Sequence, residues 1–191
     1  MEEENLEEYK MLRDEMQNCI ERDNTLTTFM VTAVATILTF AISANLQVPF
    51  LFLISFCIII PFTARIAHYK GNVARISAYI IVFLETEMNT KYETRNILAK
   101  PEKTKKSKLL ISMRNYIGFW LGLISYAVYV AEYINNIGIQ GFWNIVFCIT
   151  PVVLLILTIF LDKKIDSLPK ERKRWIETWE NLKKEQKEKG I

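Results

Sequence analysis

Between Asn24 and Asn45 the chain reads NTLTTFMVTAVATILTFAISAN, an uncharged stretch that still places a hydroxyl at almost every helical turn. At ~100° per residue, Thr25, Thr28, Thr32, Thr36, Thr39 and Ser43 fall within an arc of roughly 80° on a helix, and only Thr27 lies elsewhere. Met30, Val34, Leu38 and Ala41 occupy the opposite, lipid-like side. Hydroxyls in this register can serve as a packing surface, bonding back to the carbonyl four residues earlier or across to a neighbouring helix. Alternatively, copies of the helix can surround an aqueous path lined by hydroxyls. The stripe continues over a full bilayer thickness, which favours the lining, since a local packing contact needs only part of it.

Other residues offer chemistry of a different kind. Glu132 is the one acidic side chain between Asn115 and Leu161. An acid at membrane depth is costly unless it faces water or a partner. A ring of Glu132 copies at an outer mouth would attract cations, so this residue is the candidate for selectivity. The basic groups Lys103, Lys105, Lys106 and Lys108, with Arg172, Lys173 and Arg174, suit anionic lipid headgroups or a cytoplasmic anion such as a nucleotide or oligonucleotide. Catalysis finds little support. The single histidine, His68, has no Cys or acidic partner at metal-ligand spacing, and glycine-rich phosphate loops, GxSxG, HExxH and CxxC are absent. Asp162 and Asp166 stand four apart beside Lys163 and Lys164, a pattern of ordinary surface pairing. The chain is expected to be no enzyme and to need no cofactor or metal.

The elements that must carry these residues follow from charge. Leu26 to Ala64 holds no charged residue, and the second block holds only Glu132. A bilayer core needs ~20 apolar residues in helical form, so each block has room for two crossings. The spans are placed at 27–44, 48–64, 116–134 and 142–161. The turns NLQVP and NNIGIQG are short, so the spans pair as two antiparallel hairpins, with Pro49 suited to the first turn of the second. All 24 Lys and Arg lie in the N-terminal arm, the middle segment or the tail. Cationic flanks stay inside, which puts both termini and the middle segment in the cytoplasm. Tyr116, Phe119 and Trp120, with Tyr133, Phe142 and Trp143, fit aromatic belts at the two interfaces. Gly118, Gly122 and Ser125 form a GxxxG-type contact motif, and Pro61 and Pro151 interrupt spans two and four.

The fold class is therefore all-α: a polytopic membrane protein with four transmembrane helices and long cytoplasmic helices. Residues 1–26 form an N-terminal cytoplasmic helix and 27–64 the first hairpin. Residues 65–98 form an amphipathic helix, on which Ile66, Tyr69, Val73, Ile76, Ile80 and Phe83 make a heptad seam. With no proline before Leu98, span two is expected to run on unbroken for ~50 Å. Residues 99–115 are a basic loop, 116–161 the second hairpin and 162–191 a C-terminal helix.

The stretch RISAYIIVFLETEMNTKYETRN (Arg75–Asn96) carries a resemblance. Through Ala78-Tyr79, Phe83-Leu84-Glu85 and Tyr92-Glu93-Thr94-Arg95, hung between membrane hairpins, it resembles small prokaryotic membrane proteins of conflict systems. These are the SLATT-like group and the four-span effectors paired with nucleotide-signalling genes, as in the Hailong type of anti-phage system. The resemblance implies a homo-oligomer, a tetramer favoured, that forms a membrane pore or disruptor held shut until infection. It also implies control by a partner protein or soluble ligand.

The reading is a regulated ion-conducting pore lined by the first span. A non-conducting membrane scaffold that recruits a cytoplasmic partner through its helical bundle is the alternative, and a small-solute carrier comes third.

Overall fold

A computed structural model describes residues 2–43, 49–88, 90–99, 114–137 and 142–189, and all their regular structure is helical. The first helix, α1 (Glu2–Ser43), runs without interruption from the charged arm through the threonine-rich span. No glycine or proline interrupts it, so nothing in the chain separates arm from span. A 3-10 turn (Pro49–Leu53) opens the second span, with Pro49 buried at its first position, where a missing N–H costs nothing. Helix α2 (Ile54–Tyr79) follows, passing through Pro61.

The middle segment does not run on unbroken. After α2 comes a π-helical turn (Ile80–Leu84), closed by the Glu85 N–H bonding the Ile80 carbonyl, then a last α-turn, Glu85–Glu87. The helix stops there, and a separate short helix α3 (Tyr92–Leu98) begins. A glutamate side chain that caps the new helix offsets the loss of continuity, as described below. The remaining helices are α4 (Ile117–Asn136), α5 (Phe142–Ile149), α6 (Val152–Asp166) and α7 (Leu168–Lys189). Span four is thus two helices, because Pro151 cannot bond back and ends α5. The basic loop's lysines, and residues 44–48 and 138–141 of the two hairpin turns, lie outside the described residues.

Four stretches are long and apolar enough to cross a membrane: Glu3–Ser43, Pro49–Glu87, Ile117–Asn136 and Asn144–Asp166. The chain divides into two compact units. The apolar unit comprises the described residues of 24–67 and 110–165, and the charged unit those of 1–23, 68–109 and 166–191.

In the apolar unit, one face of α4 is buried along Gly118, Gly122, Ser125, Tyr129 and Tyr133, steps of three and four. A Cβ on Gly118 would lie 2.6 Å from Thr63 Oγ1, and one on Gly122 would lie 3.1 Å from Phe56 Cε1. The GxxxG motif is therefore filled within the chain, by α2 and α6. Farther along, Phe52, Ala41, Tyr129 and Tyr133 form a core, and Phe50 sets its ring 6.0–6.2 Å from those of Tyr129, Tyr133 and Phe147.

In the charged unit, Met16, Ile76, Ile80 and Leu84 make the core, with Tyr9, Leu12, Val73, Tyr79 and Met88 packed around it. Helix α7 lays Trp179 edge-on against Tyr79 (5.5 Å) and Phe83 (6.2 Å), with Trp175 stacked on Trp179 at 6.0 Å. Within the π-turn the Val82 carbonyl accepts from Lys183 Nζ at 2.7 Å, above the Phe83 ring, and from the Thr86 hydroxyl at 3.2 Å.

Candidate functional site: the hydroxyl face of the first span

All six stripe residues (Thr25, Thr28, Thr32, Thr36, Thr39 and Ser43) are exposed, pointing away from the rest of their own chain. The opposite side of α1 is used up. Met30 and Val34 are fully buried and Ala41 is 4% exposed, packed against the protein. The expectation that this side faces lipid is overturned. These residues are the ones that fit between α1 and its neighbours, and the polar side is left outward. Phe29 and Phe40 flank the stripe on one edge and Ile42 and Val31 on the other, all exposed.

The hydroxyls are also oriented. Thr28 Oγ1 donates to the Asn24 carbonyl at 3.0 Å, Thr32 to Thr28 at 2.9 Å and Thr36 to Thr32 at 2.8 Å. Each of these protons is thereby committed to the helix's own backbone. A hydroxyl has one donor and two acceptor lone pairs, so the outward side of each offers oxygen lone pairs alone. A column of such oxygens is compatible with water and with cations and offers an anion nothing.

Glu132 lies one turn before the end of α4, half-buried, and accepts a bond from Asn136 Nδ2 at 3.1 Å. The tail bases differ in their surroundings. Lys173 and Arg174 are exposed, whereas Arg172 turns inward and lines a cavity of about 170 Å³ with Cys19, Asp23 and Lys70. Its Nε is buried with no hydrogen-bond partner among the described residues. The Cys19 thiol there has its pKa raised by burial and, second, by the Glu15 carboxylate, which keeps it protonated and unreactive.

Three polar features escaped the sequence reading. The first is Asp162, expected to be a surface partner of Lys163 but fully buried, its Oδ2 accepting the Phe119 N–H at 2.7 Å. Phe119 sits in the first turn of α4, where N–H groups have no partner within the helix. The aspartate therefore caps α4 from α6. Asp166 is exposed, so the pair shares no environment.

The second feature repairs the proline break. Pro151 has no N–H to give the Phe147 carbonyl, and Tyr129 OH supplies the bond at 3.0 Å. Tyr126 OH does the same for Cys148 at 3.1 Å, and Tyr133 OH meets Asn144 Oδ1 at 3.3 Å. In a span, a freed carbonyl must be re-satisfied inside the protein, and α4 carries a tyrosine at the required places.

The third is a pair of buried carboxylates in the charged unit. Glu85 takes the N–H groups of Glu93 and Thr94 and the Thr94 hydroxyl, capping α3. Glu93 is itself buried and meets Arg13 at 2.5 Å and Ser77 Oγ at 3.2 Å, with Arg13 over the Tyr92 ring. The sequence signal was present, since these residues fall within the YETR and FLE motifs, but their pairing across the chain was not.

The described residues form an all-helical protein with four helices long and apolar enough to cross a membrane. No family model matches the chain, and neither a curated protein nor a solved structure is significantly similar to it.

Proposed function

We propose that the protein is a regulated, ion-conducting pore of a bacterial inner membrane, with both termini cytoplasmic, built from several copies whose α1 hydroxyl faces border one aqueous path. The observation that carries this reading is the outward, uninterrupted stripe from Thr25 to Ser43 on a helix whose other side is already spent on its own chain. Small-residue contacts within the chain are served by the glycine face of α4, so the stripe is left for something outside it. Hydroxyl protons committed to the backbone suit a cation path, and Glu132 adds negative charge at its outer end. The exposed phenylalanines beside the stripe suit contacts between copies. A tetramer, control by a cytoplasmic protein, nucleotide or oligonucleotide, and the role of a depolarising effector in anti-phage defence belong to the same proposal. They rest on the resemblance of the Arg75–Asn96 stretch.

The test is ion flux through liposomes holding the purified protein. Wild type conducts, and Thr32→Leu with Thr36→Leu abolishes the flux while assembly mass stays unchanged. Normal conductance in that double variant removes α1 from the lining. Glu132→Gln shifts the reversal potential away from cations, and an unchanged potential removes Glu132 from selectivity. An assembly that passes no ion at all supports the non-conducting scaffold instead.

A further inference from the structure

We propose that copies join head to tail through their charged units, the acidic outer face of the α1 arm in one copy meeting the basic outer face of α7 in the next. This rests on the multi-copy reading above and adds a second contact to the phenylalanines proposed there.

The two faces are built alike and charged oppositely. The α1 arm, residues 2–23, and the 22-residue α7 are each ~33 Å long, so contact along the whole of both is possible. Each has already spent one side on its own unit: Leu12 and Met16 on α1, and Trp175 and Trp179 on α7. What remains outward on α1 is an arc of roughly 100° holding Glu3, Glu7, Asp14 and Glu21 against the single Lys10. The corresponding arc of α7 holds Lys170, Lys173, Arg174 and Lys184 against Glu177 and Glu188. All of these residues are exposed.

The acidic face also has an apolar foothold. Met11, within the arc, is 63% exposed, on a face it shares with Glu7, Lys10, Asp14 and Asn18. Exposed ion pairs contribute little singly, but a run of complementary charge selects a partner and sets its register. Because the contact uses two different faces, every copy keeps one of each for its neighbours. Among copies held in one membrane plane, such contacts form a ring when the rotation from copy to copy completes a circle.

The experiment measures the mass of the full chain in lipid nanodiscs, with far-UV circular dichroism to confirm unchanged helicity. Glu3→Lys, Glu7→Lys and Asp14→Lys together convert the wild-type ring of three or more copies to single chains. Lys170→Glu, Lys173→Glu and Arg174→Glu together do the same, and the six changes combined restore the ring. Retention of wild-type mass in either triple variant overturns the proposal, as does failure of the combined variant to reassemble or a wild-type dimer. If the basic reversal acts alone and also abolishes binding to vesicles of anionic lipid, α7 serves the membrane and the proposal falls. Flux separates the two ideas. A wild-type assembly that conducts, with charge variants of unchanged mass, refutes only this interface, whereas a rescued ring that passes no ions refutes only the pore.

Discussion

At the scale of the residue, Gly118 shows how little room the apolar unit allows. Its absent Cβ would stand 2.6 Å from Thr63 Oγ1 and 3.2 Å from Asp162 Oδ1, both on side chains that are almost wholly buried. Thr63 is held besides by its contact with Met30 Sδ at 3.7 Å, and Asp162 by the Phe119 N–H. Neither can give way freely. Gly118→Ala should lower stability by about 1–3 kcal/mol, the usual cost of overpacking, read as a drop in Tm in detergent. Most of that cost should vanish in a Thr63→Ala background, which removes the nearest atoms. Gly71 is the internal control, because a Cβ there meets nothing within 4 Å. In mid-helix Gly71→Ala should stabilise by about 0.5–1 kcal/mol. The GxxxG spacing marked Gly118 and not Gly71, but which side chains fill the space at Gly118 was not legible from spacing.

At the scale of the element, the break in the fourth span is a matched pair of features on two helices. Pro151 frees the Phe147 carbonyl, and Tyr129, itself fully buried, bonds it. Tyr129→Phe leaves that carbonyl unsatisfied and should cost about 1–3 kcal/mol. Pro151→Ala returns a backbone N–H four residues on. The same Tyr129→Phe change should then cost much less, and a double-mutant cycle of thermal midpoints reads the coupling. Equal costs in both backgrounds would mean that the tyrosine bond is unrelated to the proline.

Helix existence was legible from apolar periodicity at this scale, and the heptad seam from Ile66 to Ile80 does face inward or half-inward. What was not legible was where the helix after α2 ends. No proline or glycine marks Met88 to Lys91; the stop depends on Glu85, which draws the next helix's N–H groups to itself from eight and nine residues away.

At the scale of the whole molecule, the charged unit holds a contact between distant helices that responds to pH. In the charged unit, Tyr79 donates to Glu8 Oε1 at 2.8 Å, and its pKa is pushed up from 10.0 to about 12, first by burial and then by that carboxylate. The folded state favours the neutral phenol. Its contribution is therefore complete below pH 10.0 and is lost as pH climbs toward about 12, because the unfolded chain gives up the proton first. Denaturation midpoints of wild type should fall more steeply across that window than those of Tyr79→Phe. Both proteins share every lysine, so the difference isolates the tyrosine, and parallel slopes would show that the hydrogen bond has no such weight.

The sequence by itself determined the four stretches apolar enough to cross a membrane, the all-helical class, the confinement of Lys and Arg to the flanks and the angular register of the hydroxyl stripe. Each depends only on local composition and the 3.6-residue period, which hold wherever the helix is placed. Tertiary structure alone decided which way the stripe faces. Register ties Thr32 to the side opposite Val34, but only packing against the chain's other helices determined that Val34 goes inward and Thr32 outward. The same is true of Asp162, Glu85 and Tyr129. Each satisfies a backbone group on a different helix, and a bond between segments far apart in the chain leaves no periodic trace along it.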